Sequence, residues 1–155
     1  MGTHLPGTEL LTTDQKGAIA EVAITLRALE LGIRVLRPVG DGAPYDLIFD
    51  VGGSLLRVQC KWAARQGRVV LIRCHRCRRT REGLLHRGYE ADEVDGIAAY
   101  CAQLGRCFFV PAETVSGRRT ILLRLTSTRN SQSRLVNWAD DFGLESLQSL
   151  ATQGP

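Results

Sequence analysis

Lysine is nearly missing from this chain: of 20 basic residues only Lys16 and Lys61 are lysine, which leaves 18 arginines. A GC-rich coding bias would produce that excess by itself, so the number alone names no partner. Long apolar runs are missing too. None approaches the roughly 18 residues of a membrane span, and no membrane partner is expected. From Met1 to Asp14 there is no basic stretch leading into an apolar one, so a secretory leader is not expected and the expected location is the cytoplasm, among nucleoid DNA. Five cysteines make an odd set at uneven spacing, which suits reduced thiols better than a disulfide frame. Internal repeats and low-complexity tracts are absent. What remains is ordinary: 155 residues, 44% hydrophobic and 23% charged, enough for one core. Disorder, collagen and coiled-coil readings are excluded. The organisation expected is a flexible N-terminus over 1–13, one domain over 14–150 and a flexible tail over 151–155.

The charge is distributed more tellingly than its net of +4 suggests. Arg65, Arg68, Arg73, Arg76, Arg78, Arg79, Arg81 and Arg87, with His75 and His86, stand against a single acid, Glu82. Acids resume at Glu90, Asp92, Glu93 and Asp95. A solvated surface usually mixes its signs, whereas a one-signed block makes a field that phosphate feels. Nucleic acid is the partner this favours, beside the plainer reading of a soluble basic loop.

Thr13 or Asp14 caps a predicted helix that runs to about Leu31 and closes at Gly32. Its main apolar stripe is Ile19, Val22, Ala23, Leu26 and Leu29. Ile33 to Pro38 reads as a strand and Gly40-Asp41-Gly42 as a turn. Tyr45 to Val51 and Ser54 to Trp62 are strand-like runs joined by Gly52-Gly53, a strong hairpin signal. Val69 to Cys74 is a further strand. Beyond Asp95 the pattern is ambiguous: Val94, Ile97, Ala98, Cys101 and Leu104 fit a helix, while Ile97 to Cys101 with Cys107 to Val110 fit a hairpin. Thr120 to Leu125 is strand-like, and Leu135 to Leu150 should hold one or two short helices. The fold class is α/β (α+β), a central mixed β-sheet flanked by helices.

The Gly-Gly hairpin carries the chemistry. With Val51 opposite Ser54, Asp50 faces Leu55, Ile48 faces Arg57 and Asp46 faces Gln59. Alternation then puts Asp46, Gln59 and Lys61 on one face, with direct partners' Cβ atoms roughly 4.5–5.5 Å apart. Leu47, Phe49, Val58 and Cys60 form the opposite, core face. On the helix, Lys16, Arg27 and Glu30 cluster on one side and Glu21 stands apart. It has Ala18, Ile24, Thr25 and Ala28 at helical neighbour positions. From the helix alone it is either plain surface or an inward-facing ligand.

Glu21 on an N-terminal helix, Pro44-Tyr45-Asp46 opening a strand, and Gln59-Cys60-Lys61 on the next resemble the PD-(D/E)XK nuclease superfamily. Within it, the chain is most similar to the small intron-encoded homing endonucleases, where Gln takes the (D/E) position. Tyr89, Asp95, Tyr100, Phe109-Val110-Pro111, Leu123-Arg124-Leu125, Asn130 and Gln132 extend the likeness across Asp14 to Leu144. Tyr45 between Pro44 and Asp46 is one departure, and the neutral Gln59, which bears on metal affinity, is another. The resemblance implies a Mg²⁺-dependent DNA endonuclease with Glu21, Asp46, Gln59 and Lys61 at its centre. Asp46, Glu21 and the Gln59 amide oxygen would be the metal ligands. Such chemistry needs hard oxygen ligands and one or two carboxylates. Lys16, Arg34, Arg37, Arg73, His75, Arg76, Arg78, Arg79 and Arg81 are the candidate DNA contacts. The resemblance also implies a homotetramer, otherwise a homodimer. Phe108, Val110, Ile121, Leu123, Leu125 and the segment Leu135 to Leu150 are the apolar material expected to hold it.

Rival readings remain open at this stage. A Holliday-junction resolvase or repair nuclease would share the fold, and a DNA-binding module with a decayed site would share the charge. Cys74 and Cys77 have a zinc-like spacing around His75, but no second tight pair completes four ligands. Core thiols are expected instead.

Overall fold

The computed structural model describes residues 7–80, 83–88, 93–126 and 136–151. Arg81, Tyr89, Asn130, Gln132 and Leu135, singled out above, lie outside the described residues, as do 1–6 and 152–155. The first long element is α1 (Thr13–Glu30), and its start is set one residue earlier than expected. Thr12 accepts the Gln15 N–H at 3.2 Å while the Gln15 side chain accepts the Thr12 N–H at 2.9 Å. This is a reciprocal capping box. Gly32, at φ 77, takes the left-handed conformation that closes the helix.

The face that α1 buries differs from the expected stripe. Ala20, Ile24 and Ala28 are wholly buried, whereas Val22, Leu26 and Leu29 are 63%, 57% and 56% exposed and Ile19 is 38% exposed. The helix is apolar on two sides. The side with small residues is the one that lets the backbone approach the sheet closely, and it turns Glu21 inward with it.

After α1 come β1 (Arg34–Leu36), β2 (Leu47–Val51), β3 (Ser54–Gln66) and β4 (Val69–Arg73). Next are β5 (His75–Thr80), β6 (Gly83–Gly88), β7 (Gly96–Cys101) and β8 (Arg106–Pro111). The short α2 (Ala112–Val115) leads to β9 (Thr120–Arg124). The β2–β3 hairpin has the expected register: Leu47 opposite Val58, Ile48 opposite Arg57, Asp50 opposite Leu55, Val51 opposite Ser54. Gly52 and Gly53 both have positive φ, 56 and 85, as the tight hairpin turn requires.

β3 is the spine of the sheet, and it runs past Trp62 to Gln66. β7 lies parallel to it, from Val58 opposite Gly96 to Ala63 opposite Cys101, and β8 returns antiparallel to β7. The ambiguous stretch after Asp95 is therefore a hairpin. Gly96 has a steric reason: a Cβ there would lie 2.3 Å from the Phe109 ring. The far end of β3 pairs with β4, which pairs with β9, so seven strands among the described residues form one mixed sheet. β5 and β6 form a separate two-stranded ribbon, so the basic block is not a loop.

Apolar side chains fill both faces. Under α1 lie Leu47, Phe49, Val58 and Phe109, with Leu144 and Leu147 from the short C-terminal helical turns. The opposite face packs Val70, Ile72, Ile97, Phe108, Val110, Ile121 and Leu123. Of the apolar residues expected to be surplus in the C-terminal half, Phe108, Val110, Ile121 and Leu123 lie inside this chain's own core, whereas Leu150 is 53% exposed. Those four therefore do not serve as the expected oligomer contact. No helix among the described residues is long and apolar enough to cross a membrane.

Candidate active site

At the open end of the β2–β3 pair, the Asp46 N–H still bonds to the Val58 carbonyl at 2.9 Å. Its side chain therefore starts from a fixed backbone. Asp46 Oδ2 accepts the Gln59 amide Nε2–H at 2.8 Å and the Cys60 backbone N–H at 2.9 Å. Burial raises the Asp46 pKa above the usual carboxylate value, and the Cys60 N–H and the Lys61 charge act against it. A half-buried carboxylate that two donors and a cation do not bring back to its ordinary value is suited to a metal ion's charge. Lys61, two residues beyond Gln59, donates its ammonium Nζ to the His75 carbonyl at 3.1 Å. That bond ties the lysine to the first residue of the basic ribbon.

Glu21 reaches the site from α1. Its carboxylate pairs with the Arg37 guanidinium at 2.5 Å, and its backbone carbonyl accepts the Thr25 hydroxyl. Glu21, Arg37, Asp41, Tyr45 and Asp46 line one cleft of about 220 Å³. The Cys60 thiol senses the convergence: burial raises its pKa most, the charges of Asp46 and Glu21 raise it further, and Arg37 opposes them. The plain-surface alternative for Glu21 is thereby removed. Asp46 and Gln59 come together as the hairpin pattern predicts, the Lys61 charge acts on Asp46, and Glu21 joins Asp46 across the cleft.

Two carboxylates and one amide are a hard-oxygen donor set that fits Mg²⁺. Among the described residues no group of three or more His, Cys, Asp and Glu side chains gathers as a richer metal site. Gln59 directs its amide N–H at Asp46, so its carbonyl oxygen faces away from that carboxylate. Cys74, considered above for zinc, is wholly buried, and burial pushes its thiol up to about 11. A thiol held so far from its thiolate is a core residue.

The candidate DNA contacts fall into groups. Arg76, Arg78 and Arg79 stand on β5, with Arg76 paired to Arg87 of β6, Arg78 to Leu85 and Arg79 to Leu84. Arg73 is exposed at the end of β4, and Arg34 is exposed on the sheet-edge strand β1. Lys16 is drawn elsewhere, with its ammonium 6.0 Å over the Trp62 ring. Arg37 lies inside the cleft. One cleft residue and one ion pair escaped the sequence reading. Asp41 lines the cleft, hidden in a Gly-rich turn. Arg57 and Asp95 lock β3 to the entry of β7. Asp95 Oδ2 accepts the Arg57 N–H at 2.7 Å and the guanidinium Nε at 3.1 Å, and this pairing lowers the Asp95 pKa.

Comparison with known proteins agrees with this geometry. The sequence pattern of the PD-(D/E)XK endonuclease family matches residues 11–145. Among solved structures, a bacterial homing endonuclease, I-Ssp6803I, is similar at 31% identity with a TM-score of 0.72. The match covers 92% of this chain and 98% of that one. No curated protein sequence matches.

Proposed function

The chain belongs to the PD-(D/E)XK endonuclease family, and from that premise we propose that it is a Mg²⁺-dependent homing endonuclease cutting a long, specific duplex site in nucleoid DNA. The observation that carries the proposal is the Asp46–Gln59 bond at 2.8 Å, with Lys61 two residues on and Glu21 in the same cleft. Asp46, Glu21 and, with its amide turned, Gln59 would hold the cation. When bound, Mg²⁺ polarises a phosphoryl oxygen and lowers the pKa of an attacking water. Lys61 orients that water or stabilises charge developing on the phosphorane. The bond from Lys61 to His75 fixes the ammonium, whose charge acts on Asp46, beside the proposed centre.

Outside the centre, the β5–β6 ribbon is a two-stranded element of the width a major groove admits. Its arginines supply phosphate contacts and are suited to bidentate guanine readout. Two strands must be cut and each chain has one site, so the working form is a homo-oligomer, a tetramer by the family likeness and otherwise a dimer.

Cleavage of a random duplex library with Mg²⁺ tests all of this together. Recovery of a single long cut site is the expected outcome. Undiminished cutting in EDTA would end the metal mechanism, and cutting confined to four-way junctions would transfer the assignment to a resolvase.

A further inference from the structure

The catalytic roles above leave the cleft's own cation without a task. Arg37 follows β1 directly, ahead of a turn in which Gly40 and Gly42 have φ values of 90 and 98. Its guanidinium Nη1 lies 2.5 Å from Glu21 Oε1. The Arg37 side chain is 55% exposed and that of Glu21 30% exposed. The cleft they line with Asp46 also holds Asp41, and Arg37 is the one cationic residue in its lining.

Glu21 is a proposed ligand, yet its carboxylate already has a guanidinium on it, while Asp46, which accepts from Gln59 and Cys60, has none against it in that lining. A cation entering the cleft therefore meets one carboxylate that accepts from an amide and a backbone N–H and one that is paired with a guanidinium. An ion pair this exposed is weak, and a competitor can displace it. An arginine released in this way has an obvious second partner, because its planar fork binds a phosphate as well as a carboxylate.

We propose that Arg37 is a positioning residue that holds Glu21 until DNA arrives, then passes to a backbone phosphate and releases the carboxylate to the divalent cation. The proposal rests on the nuclease reading of the same site. Its consequence is that cation and duplex each favour the other's binding, since such coupling is reciprocal. Without DNA the cation site is held weak, which limits cleavage chemistry away from a bound duplex.

The test reads binding and not turnover. Mg²⁺ is titrated calorimetrically into DNA-free protein with Arg37 intact, with Arg37→Met, and with Arg118→Met as a charge control at an exposed position outside the cleft. Arg37→Met should tighten Mg²⁺ binding by about tenfold, within the usual range of such couplings. Arg118→Met should shift it little. Arg37→Lys, which keeps the charge but loses the fork, should fall between and serves as the folded comparison if Arg37→Met does not fold. Duplex affinity is then measured by anisotropy with and without Mg²⁺ in a Lys61→Ala background, where the duplex stays intact. With Arg37 present Mg²⁺ should strengthen duplex binding several-fold, and without Arg37 that gain should vanish. A Mg²⁺ affinity that changes no more than in the Arg118 control, or a gain that survives Arg37 removal, overturns the proposal. A protein that binds no Mg²⁺ with or without duplex overturns the cation site as well.

Discussion

Asp46 is subject to two opposed demands: the hydrogen bonds from Gln59 and Cys60 hold its carboxylate where burial disfavours the charge. A carboxyl whose folded pKa is raised contributes stability that is fully present below its unfolded value, roughly 4, and is lost as pH rises through the folded one. At neutral pH Asp46 is therefore a net cost to the fold. Asp46→Asn keeps an acceptor for both N–H groups and removes that cost. Mg²⁺-dependent cleavage should be abolished while the melting temperature at pH 7 rises by a few degrees. That gain should shrink as the pH is lowered towards 4 and beyond. Melts across the pH series, read beside a cleavage assay, check both halves. A lower melting temperature at pH 7 would mean that the charged form is compensated in the fold. Lys61→Ala separates chemistry from binding. Cleavage should fall by orders of magnitude with duplex affinity largely kept, because one cationic contact is a small share of the total. Near-normal cutting would remove Lys61 from the mechanism.

Among the elements, the β5–β6 ribbon is the one whose composition and place in the fold point the same way. It stands outside the seven-stranded sheet, pairing only with itself among the described strands. Its junction with the main sheet is short: β4 ends at Arg73, and His75 opens the ribbon while its carbonyl accepts the ammonium of Lys61 from β3. A force on the ribbon is felt at the active site through that bond. Replacing Arg76, Arg78 and Arg79 together with Gln should weaken duplex binding and flatten its salt dependence. The loss of slope should be roughly 0.9 per abolished phosphate contact. Anisotropy titrations between low and physiological salt measure it, and an unchanged slope would put the ribbon away from DNA.

For the whole molecule, the outward face of α1 is the feature that a lone chain does not explain. Ile19, Val22, Leu26 and Leu29 follow one another at helical spacing and stay exposed, while Phe108, Val110, Ile121 and Leu123 of the C-terminal half are used internally. Contiguous apolar surface of this kind marks contact with another protein surface. Because one site cuts one strand, a second copy is the occupant that the proposed function requires, and a two-fold pair matches a pseudo-palindromic target. Light scattering at micromolar concentration should show a homo-oligomer. Val22→Glu with Leu26→Glu should reduce it to smaller species that nick rather than break duplex DNA. A wild-type monomer with and without DNA would overturn the assembly and leave a nicking enzyme.

Period-two alternation and the Gly52-Gly53 turn were enough to bring Asp46 to Gln59, which are hydrogen-bonded although the ladder ends one pair earlier at Leu47 and Val58. The capped helix, the strands on either side of that turn and the basic block were legible for the same reason: each is a local pattern. The buried face of α1 was not, since apolar residues on both its sides gave periodicity two solutions, and the larger side chains marked the wrong one. Only packing against the sheet chose the Ala20, Ile24 and Ala28 face, and that choice brought Glu21 inward. Nor did alternation announce the ribbon, whose strands have no apolar face to alternate. The stretch from Gly96 to Pro111 was short enough for either helix or hairpin until parallel pairing with β3 decided it. The contact of Arg37 with Glu21 spans 16 residues and depends on how β1 and its glycine turn lie over α1. Nothing in either residue's neighbourhood encodes that contact, because a salt bridge between distant positions exists only once the chain between them has folded.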